Sequence, residues 1–175
     1  MTRKLLALAL LIMLAPSAQA QDMPLSQILI DGEGWTAAKG KPEKPKAYPH
    51  LYRCVYSNDG GTLFWASCGR RSSLLASPCD QKGVPLRFGI PYGSLRLPQD
   101  EPGISVGGLV IDRDGRIYAA TEIGVQVFDP TGRMCGVLTP AAPGKPEHLA
   151  FEGDQLTLWI GDTKYTRTLR TVGAK

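Results

Sequence analysis

The sequence has few of the residues from which most catalytic and metal centres are built. Histidine occurs twice in 175 residues, at His50 and His148, and none of the four cysteines, Cys54, Cys68, Cys79 and Cys135, forms a C-x-x-C pair. Structural zinc sites gather their ligands at close spacings, so this pattern argues against one. Stretches of helical period are also scarce, whereas glycine and proline number 20 and 14, a balance that favours many short strands over helices. Beyond Leu14 no apolar run approaches the roughly 18 residues a membrane span needs, and no membrane-spanning segment is expected in the mature chain. A clustered basic face is missing too. The formal net charge of +4 includes two positive charges from Arg3 and Lys4, and nothing in the remainder suggests a nucleic-acid or anionic-membrane partner.

What is present begins with an export signal. Arg3 and Lys4 form a charged start, Leu5 to Leu14 an apolar stretch, and Ala18-Gln19-Ala20 an A-x-A cleavage site. Residues 1–20 are therefore read as a signal peptide, and the mature protein as periplasmic or secreted. The remaining 155 residues suffice for one domain with a core. All four cysteines lie in that part, and an oxidising compartment favours one or two disulfides, with three full pairings open.

The mature chain is organised around Gly107 to Leu138. Four short apolar runs, Leu109–Ile111, Ile117–Thr121, Val125–Phe128 and Met134–Leu138, are separated by Asp112-Arg113-Asp114-Gly115, by Gly124 and by Asp129-Pro130-Thr131-Gly132. Turns of that composition join antiparallel strands into a four-stranded meander. The same grammar occurs earlier, with strands expected at Tyr52–Tyr56, Leu63–Ser67, Leu74–Ser77 and Ser94–Leu97, and later, at Glu147–Phe151, Leu156–Ile160 and Tyr165–Val172. Asp59-Gly60, Asp114-Gly115 and Gly153-Asp154 each precede an aliphatic-aromatic pair, Leu63-Phe64, Ile117-Tyr118 and Leu158-Trp159. Repeats of roughly 40–50 residues with four strands apiece are the signature of propeller blades. The fold expected is all-β, a partial β-propeller of about three four-stranded blades over 51–175. Before it, residues 21–50 hold a short strand at Ile28-Leu29-Ile30 and a solvated connection, Lys39 to Pro49, with four lysines and three prolines.

These residues resemble the SMP-30/gluconolactonase/luciferin-regenerating-like family of six-bladed propellers. Leu109 to Val137 is similar to the family's V-D-x-x-G-x-L-Y-V-A-T-x-x-G-V-Q-V-F-D-x-x-G run. Pro146 to Ile160 resembles its closing blade, Ser57 to Ala66 its S-P-D-G segment, Tyr92 to Leu97 the strand leading into the central run, and Ile30 to Trp35 an N-terminal segment. The resemblance covers about residues 51–172 and implies metal-dependent sugar-lactone hydrolysis. In the family one divalent metal is held at the channel mouth by a Glu, an Asn in P-N-G-L and an Asp in A-D-G-M. Carried over, the Asp position falls on Gly107 and the Asn position on Tyr52, and the Glu motif has no counterpart. A dication needs several converging oxygen or imidazole ligands. The resemblance thus implies a protein with no cofactor and no catalytic residues, acting as a binding or assembly module. The alternative is a lactone hydrolase whose calcium or zinc site is rebuilt from other residues or completed in a dimer.

Four residues are candidates for binding at the channel mouth: His148, Glu147, Glu122 and Tyr52. His148 precedes a blade's first strand, where it can titrate or bind but cannot catalyse unaided. A plain surface histidine is the competing reading. Two motifs carry no chemistry. Gly103-Ile104-Ser105-Val106-Gly107 matches a nucleophile elbow in letters, but a strand rather than a helix comes after it, and Asp112 to Gly115 lacks the later ligands of a calcium loop. Three blades make half of a six-fold ring, so two apolar flanks are expected, to be covered by a second copy or a partner protein. If residues 1–20 are a leader, N-terminal sequencing of the protein recovered from the periplasm or medium will begin at Gln21.

Overall fold

The computed structural model describes residues 23–38, 53–67 and 72–174. The proposed leader, the Lys39–Pro49 connection, His50, Tyr52 and Cys68 lie outside the described residues. Left-handed glycines set the first hairpin of each repeat: Gly60, Gly115 and Gly153 have φ of 71°, 84° and 67°. Positive φ costs a side-chain-bearing residue about 1–2 kcal/mol, which is why glycine recurs at these corners.

The strands form three four-stranded antiparallel sheets. The third sheet takes one strand from the start of the chain, β1 (Thr36–Ala37). The first sheet holds β2 (Cys54–Tyr56), β3 (Thr62–Ser67), β4 (Ser73–Pro78) and β5 (Ile90–Ser94). The second holds β6 (Val106–Ile111), β7 (Ile117–Thr121), β8 (Gly124–Phe128) and β9 (Met134–Leu138). The third holds β10 (Pro146–Glu152), β11 (Gln155–Ile160) and β12 (Thr163–Thr168), with β1 on the far side of β12. The sheets stand side by side as propeller blades, and their first strands β2, β6 and β10 are neighbours on the inner side. The expected partial propeller of three blades is what the chain forms.

The second sheet is buried on both faces: every residue of β7 and β8 is buried. Period-2 alternation sends Leu109, Ile117, Ala119 and Phe128 into a core shared with Phe64 and Leu74 of the first sheet. Tyr118, Ala120, Val125 and Val127 point the other way, into a core with Leu149, Leu156 and Leu158 of the third. A fully buried side chain of this kind contributes about 1.5–3 kcal/mol.

A repeated turn secures the ends of the strands. In Asp112 to Arg116, the Asp112 carboxylate accepts hydrogen bonds from the backbone N–H of Asp114 and Arg116 at 2.9 and 2.8 Å. The Arg116 guanidinium returns to the same carboxylate at 3.1 Å. Asp129 to Arg133 repeats the pattern, with N–H of Thr131 and Arg133 at 2.9 and 3.0 Å and the Arg133 guanidinium at 3.1 Å. Burial alone would raise the Asp129 carboxyl, but the Thr131 hydroxyl, the two N–H groups and Arg133 outweigh it and hold it below its ordinary value. Asp112 is the more central of the two, being fully buried. It also accepts from the Tyr118 hydroxyl at 2.9 Å and from the Thr171 hydroxyl at 3.2 Å.

Four expectations need correction. Ile28 to Ile30 is not a strand: it comes after a 3-10 turn at Leu25–Gln27, and the buried Ile28 serves as an apolar plug while its carbonyl accepts from the Arg170 N–H. The fourth strand of the first sheet is β5 at Ile90–Ser94, not Ser94–Leu97. Ile90 to Gly93 pair with Ala76 to Leu74, whereas Arg96 is held through its backbone N–H and C=O by the buried Gln126 amide. The last run ends at Thr168, after which residues 169–174 leave the sheet as a tail. Leu169 and Thr171 are buried, and the Ala174 N–H donates to the Ile111 carbonyl. The expectation of two open flanks fails on one side. On the outer face of the third sheet Trp159 and Thr157 are 2% and 1% exposed. The first sheet does present an open apolar flank, with Phe88 97%, Leu86 65% and Ile90 50% exposed.

The buried ion pair supplies a test. Removing one partner of such a pair costs about 3–5 kcal/mol, because the other charge stays buried without compensation. Asp112→Ala should lower the free energy of unfolding by about that amount in urea titrations. Asp59→Ala at the exposed first hairpin should change it far less.

Candidate binding site at the inner strands

The end of the half-ring from which β2, β6 and β10 start is the mouth where the sequence places its candidates. Val106 pairs with Thr121, so the β7–β8 hairpin carrying Glu122 lies beside the start of β6. Glu122 is bound by Lys145 at 3.6 Å, immediately before β10. Glu147 is exposed and occupies a bulge of β10 between Pro146 and His148. Glu122 and Glu147 are therefore brought to one end of the molecule. His148 is directed elsewhere. It stands opposite Trp159, and since Leu149 and Phe151 enter the core with the second sheet, His148 lies on the outer face of the third. Burial pushes its imidazole below the ordinary 6.5, with Glu152 opposing.

The decisive residue at this mouth is Gly107. A Cβ built there would lie 2.0 Å from the Pro146 carbonyl oxygen and 2.4 Å from its carbon. At Gly108 the corresponding atom would meet the Leu149 nitrogen at 2.9 Å. The two glycines let β6 and β10 approach backbone to backbone, so position 107 can project no ligand. A divalent metal of the kind the resemblance implies does not fit these residues. The expected aspartate is replaced by a residue without a side chain, the space for one is filled by main chain, and no group of three or more His, Cys, Asp and Glu converges among the described residues.

Further along the inner strands is a groove of about 370 Å³, lined mainly by Val55, Asn58, Val110, Phe151 and the tail residues Gly173 and Ala174. Its walls are polar and apolar in nearly equal share, and the Asn58 amide that borders it donates to the main-chain carbonyls of Asp112 and Arg113 at 3.1 and 2.8 Å. Such a groove can hold a small ligand group, and the Ser57 hydroxyl that lines it is engaged in donating to the Asp59 carboxylate at 2.6 Å. The sequence reading missed it because the tail that closes it belongs to no repeat. No disulfide joins Cys54, Cys79 and Cys135 among the described residues, and Cys79 carries a free thiol.

Overpacking a well-filled contact costs about 1–3 kcal/mol, and more where the obstacle is backbone. Gly107→Ala should therefore reduce stability by at least about 2 kcal/mol in thermal or urea unfolding. Gly107→Asp should do so without creating metal affinity, as read by isothermal titration with calcium and zinc.

No protein-family model and no curated protein matches the sequence. Solved structures do match by shape. A gluconolactonase from Xanthomonas campestris aligns with a TM-score of 0.55 and 20% identity over 69% of this chain and 38% of that one. A structural-genomics target assigned as a gluconolactonase aligns with a TM-score of 0.58 and 18% identity, over 71% and 40%. A luciferin-regenerating enzyme aligns with a TM-score of 0.56 and 16% identity, over 71% and 48%. The chain spans less than half the length of each of these proteins. It shares the β-propeller fold of gluconolactonase and luciferin-regenerating enzyme.

Proposed function

We propose that this chain is an exported member of the SMP-30/gluconolactonase-like group that hydrolyses no lactone and acts as a binding or assembly module. The observation that carries this reading is Gly107, where the carbonyl of Pro146 fills the place a metal-binding side chain would need. Its shared shape with gluconolactonases supports the group, and the charged, apolar and A-x-A segments of residues 1–20 support export. Glu122 and Glu147 are polar contacts at the mouth in this reading, without a catalytic role, and His148, on the outer face of the third sheet, is not one of them.

Assembly is favoured by the flank of the first sheet. Trp65, Leu63 and Cys54 share a face there with the Pro85 to Phe88 loop, around a hollow of about 760 Å³. Burial pushes the Cys54 thiol up, in keeping with an apolar surround. In a propeller each blade flank packs on its neighbour, and an apolar flank left open is a surface for a second copy or for a partner protein.

Two measurements on the mature protein test the reading. Elemental analysis after purification without chelators should find no stoichiometric calcium, zinc or manganese, and gluconolactone should disappear at the uncatalysed rate. Stoichiometric metal together with catalysed turnover would sink the non-catalytic reading. Light scattering should give a mass above that of one chain, which Phe88→Asp should return to the monomer. A monomeric wild-type protein that remains alone after mixing with periplasmic extract removes the assembly reading.

A further inference from the structure

At the opposite end of the half-ring, the hairpins of the first and second sheets enclose a second cleft of about 370 Å³. It is separated from the inner groove by the Asn58 amide, whose two hydrogen bonds cross from the β2–β3 hairpin to the main chain at Asp112 and Arg113. Its floor is aromatic. Phe64 and Tyr92 pack with ring centroids 4.8 Å apart and planes tilted by 53°, and Pro130 forms the far wall. Tyr92 is fixed by donating its hydroxyl hydrogen to the Asp129 carbonyl at 3.0 Å. Burial, with Asp129 adding to it, pushes that phenol up to about 12, so the ring stays neutral.

The rim carries three charges, and they do not cancel. Asp114 is neutralised locally: the Arg116 guanidinium lies 2.9 Å from one carboxylate oxygen, and the Arg113 Nε lies 3.9 Å from the other. Asp59 is held by neutral donors, the Ser57 hydroxyl at 2.6 Å and the Gly61 N–H at 3.0 Å. Those bonds lower its pKa, the Ser57 hydroxyl most of all, and so keep it ionised. Among the described residues no cation pairs with it. One uncompensated carboxylate therefore stands at the rim of a cleft floored by aromatic carbon.

We infer that this cleft binds a small organic monocation, a protonated amine with an apolar body, its ammonium at Asp59 and its alkyl portion over Phe64 and Tyr92. The electrostatics select the class. A carboxylate attracts the ammonium, and ring faces attract both the cation and its methylene groups. An anion would meet the Asp59 carboxylate, which neutral donors hold, and a neutral alcohol would gain the floor without the ion pair. The inference is independent of the mouth and of the open flank, because it uses neither Gly107 nor the Trp65 face.

The probe is n-butylammonium chloride, titrated at constant ionic strength into the mature protein labelled with nitrogen-15. n-Butanol and sodium butyrate serve as the neutral and anionic comparisons. Saturable shifts confined to the amides of Asp59 to Gly61 and Arg113 to Gly115 are expected with butylammonium only. Asp59→Asn keeps the acceptor oxygen that Ser57 and Gly61 use, so the hairpin is retained, and it should weaken binding by about tenfold. Equal response to n-butanol, shifts that grow linearly without saturation, or unchanged affinity in Asp59→Asn each overturn the inference. Should Asp59→Asn fail to fold, the contrast between butylammonium and butanol on the wild-type protein decides alone.

Discussion

One carboxylate holds the half-ring together. Asp112 is fully buried at the end of β6, and its two oxygens receive its own hairpin, the Tyr118 hydroxyl from the next strand and the Thr171 hydroxyl from the C-terminal tail. Arg116, which balances its charge, reaches on to the Gln27 side-chain carbonyl at 2.9 Å. Asn58 of the first sheet bonds the main-chain carbonyl of the same residue. Parts of the chain far apart in sequence are thereby fastened to one point. In a low-dielectric surround these charge-assisted bonds are strong, and leaving any of them unmade is costly. The first sheet's grip on the second is completed at a second copy of the same turn, where Tyr92 donates to the Asp129 carbonyl.

The middle sheet meets its two neighbours differently. Against the first sheet it presents Phe128, Ile117 and Leu109, a side-chain core of ordinary depth. Against the third the inner strands come closer, through Gly107 and Gly108, and the backbone itself makes the contact. Close approach of inner strands and a ring of inward-pointing ligands are competing uses of the same positions. Here the contact wins, and the inner surface that remains is a groove of mixed polarity closed by the tail.

Much of the architecture was legible in the residues. The turns at Asp59-Gly60, Asp114-Gly115 and Gly153-Asp154 mark real hairpins, because each needs a positive φ that glycine supplies. The second sheet could be bounded closely, since its strands are consecutive and its turns short, although its first strand begins at Val106, ahead of the expected Leu109. The illegible part is non-local. Thr36–Ala37 has no strand signature of its own and becomes one by pairing with Thr166 and Tyr165. Apolar Ile28 reads as strand but is used as a plug. Of the candidate site, the absence of a ligand at Gly107 could be read directly, but the reason for it, the Pro146 carbonyl, required the packing of two sheets. His148 was placed at the mouth by position in its strand, and the bulge at Glu147 shows how one extra residue redirects the next side chain along β10.

The pairing of Thr36 with Thr166 joins residues 130 positions apart. Nothing before β12 can satisfy β1, so this strand waits until nearly the whole chain is available, whereas the middle sheet can form from local hairpins alone. Contacts of such long range slow folding, because a large loop must close before they reward it. Contact range favours a nucleus in the middle sheet, with the first sheet added from one side and the two termini arriving last on the other. The third sheet is then the late-forming part of the molecule, and its outer edge stays available to other strands for as long as the N-terminal segment has not docked.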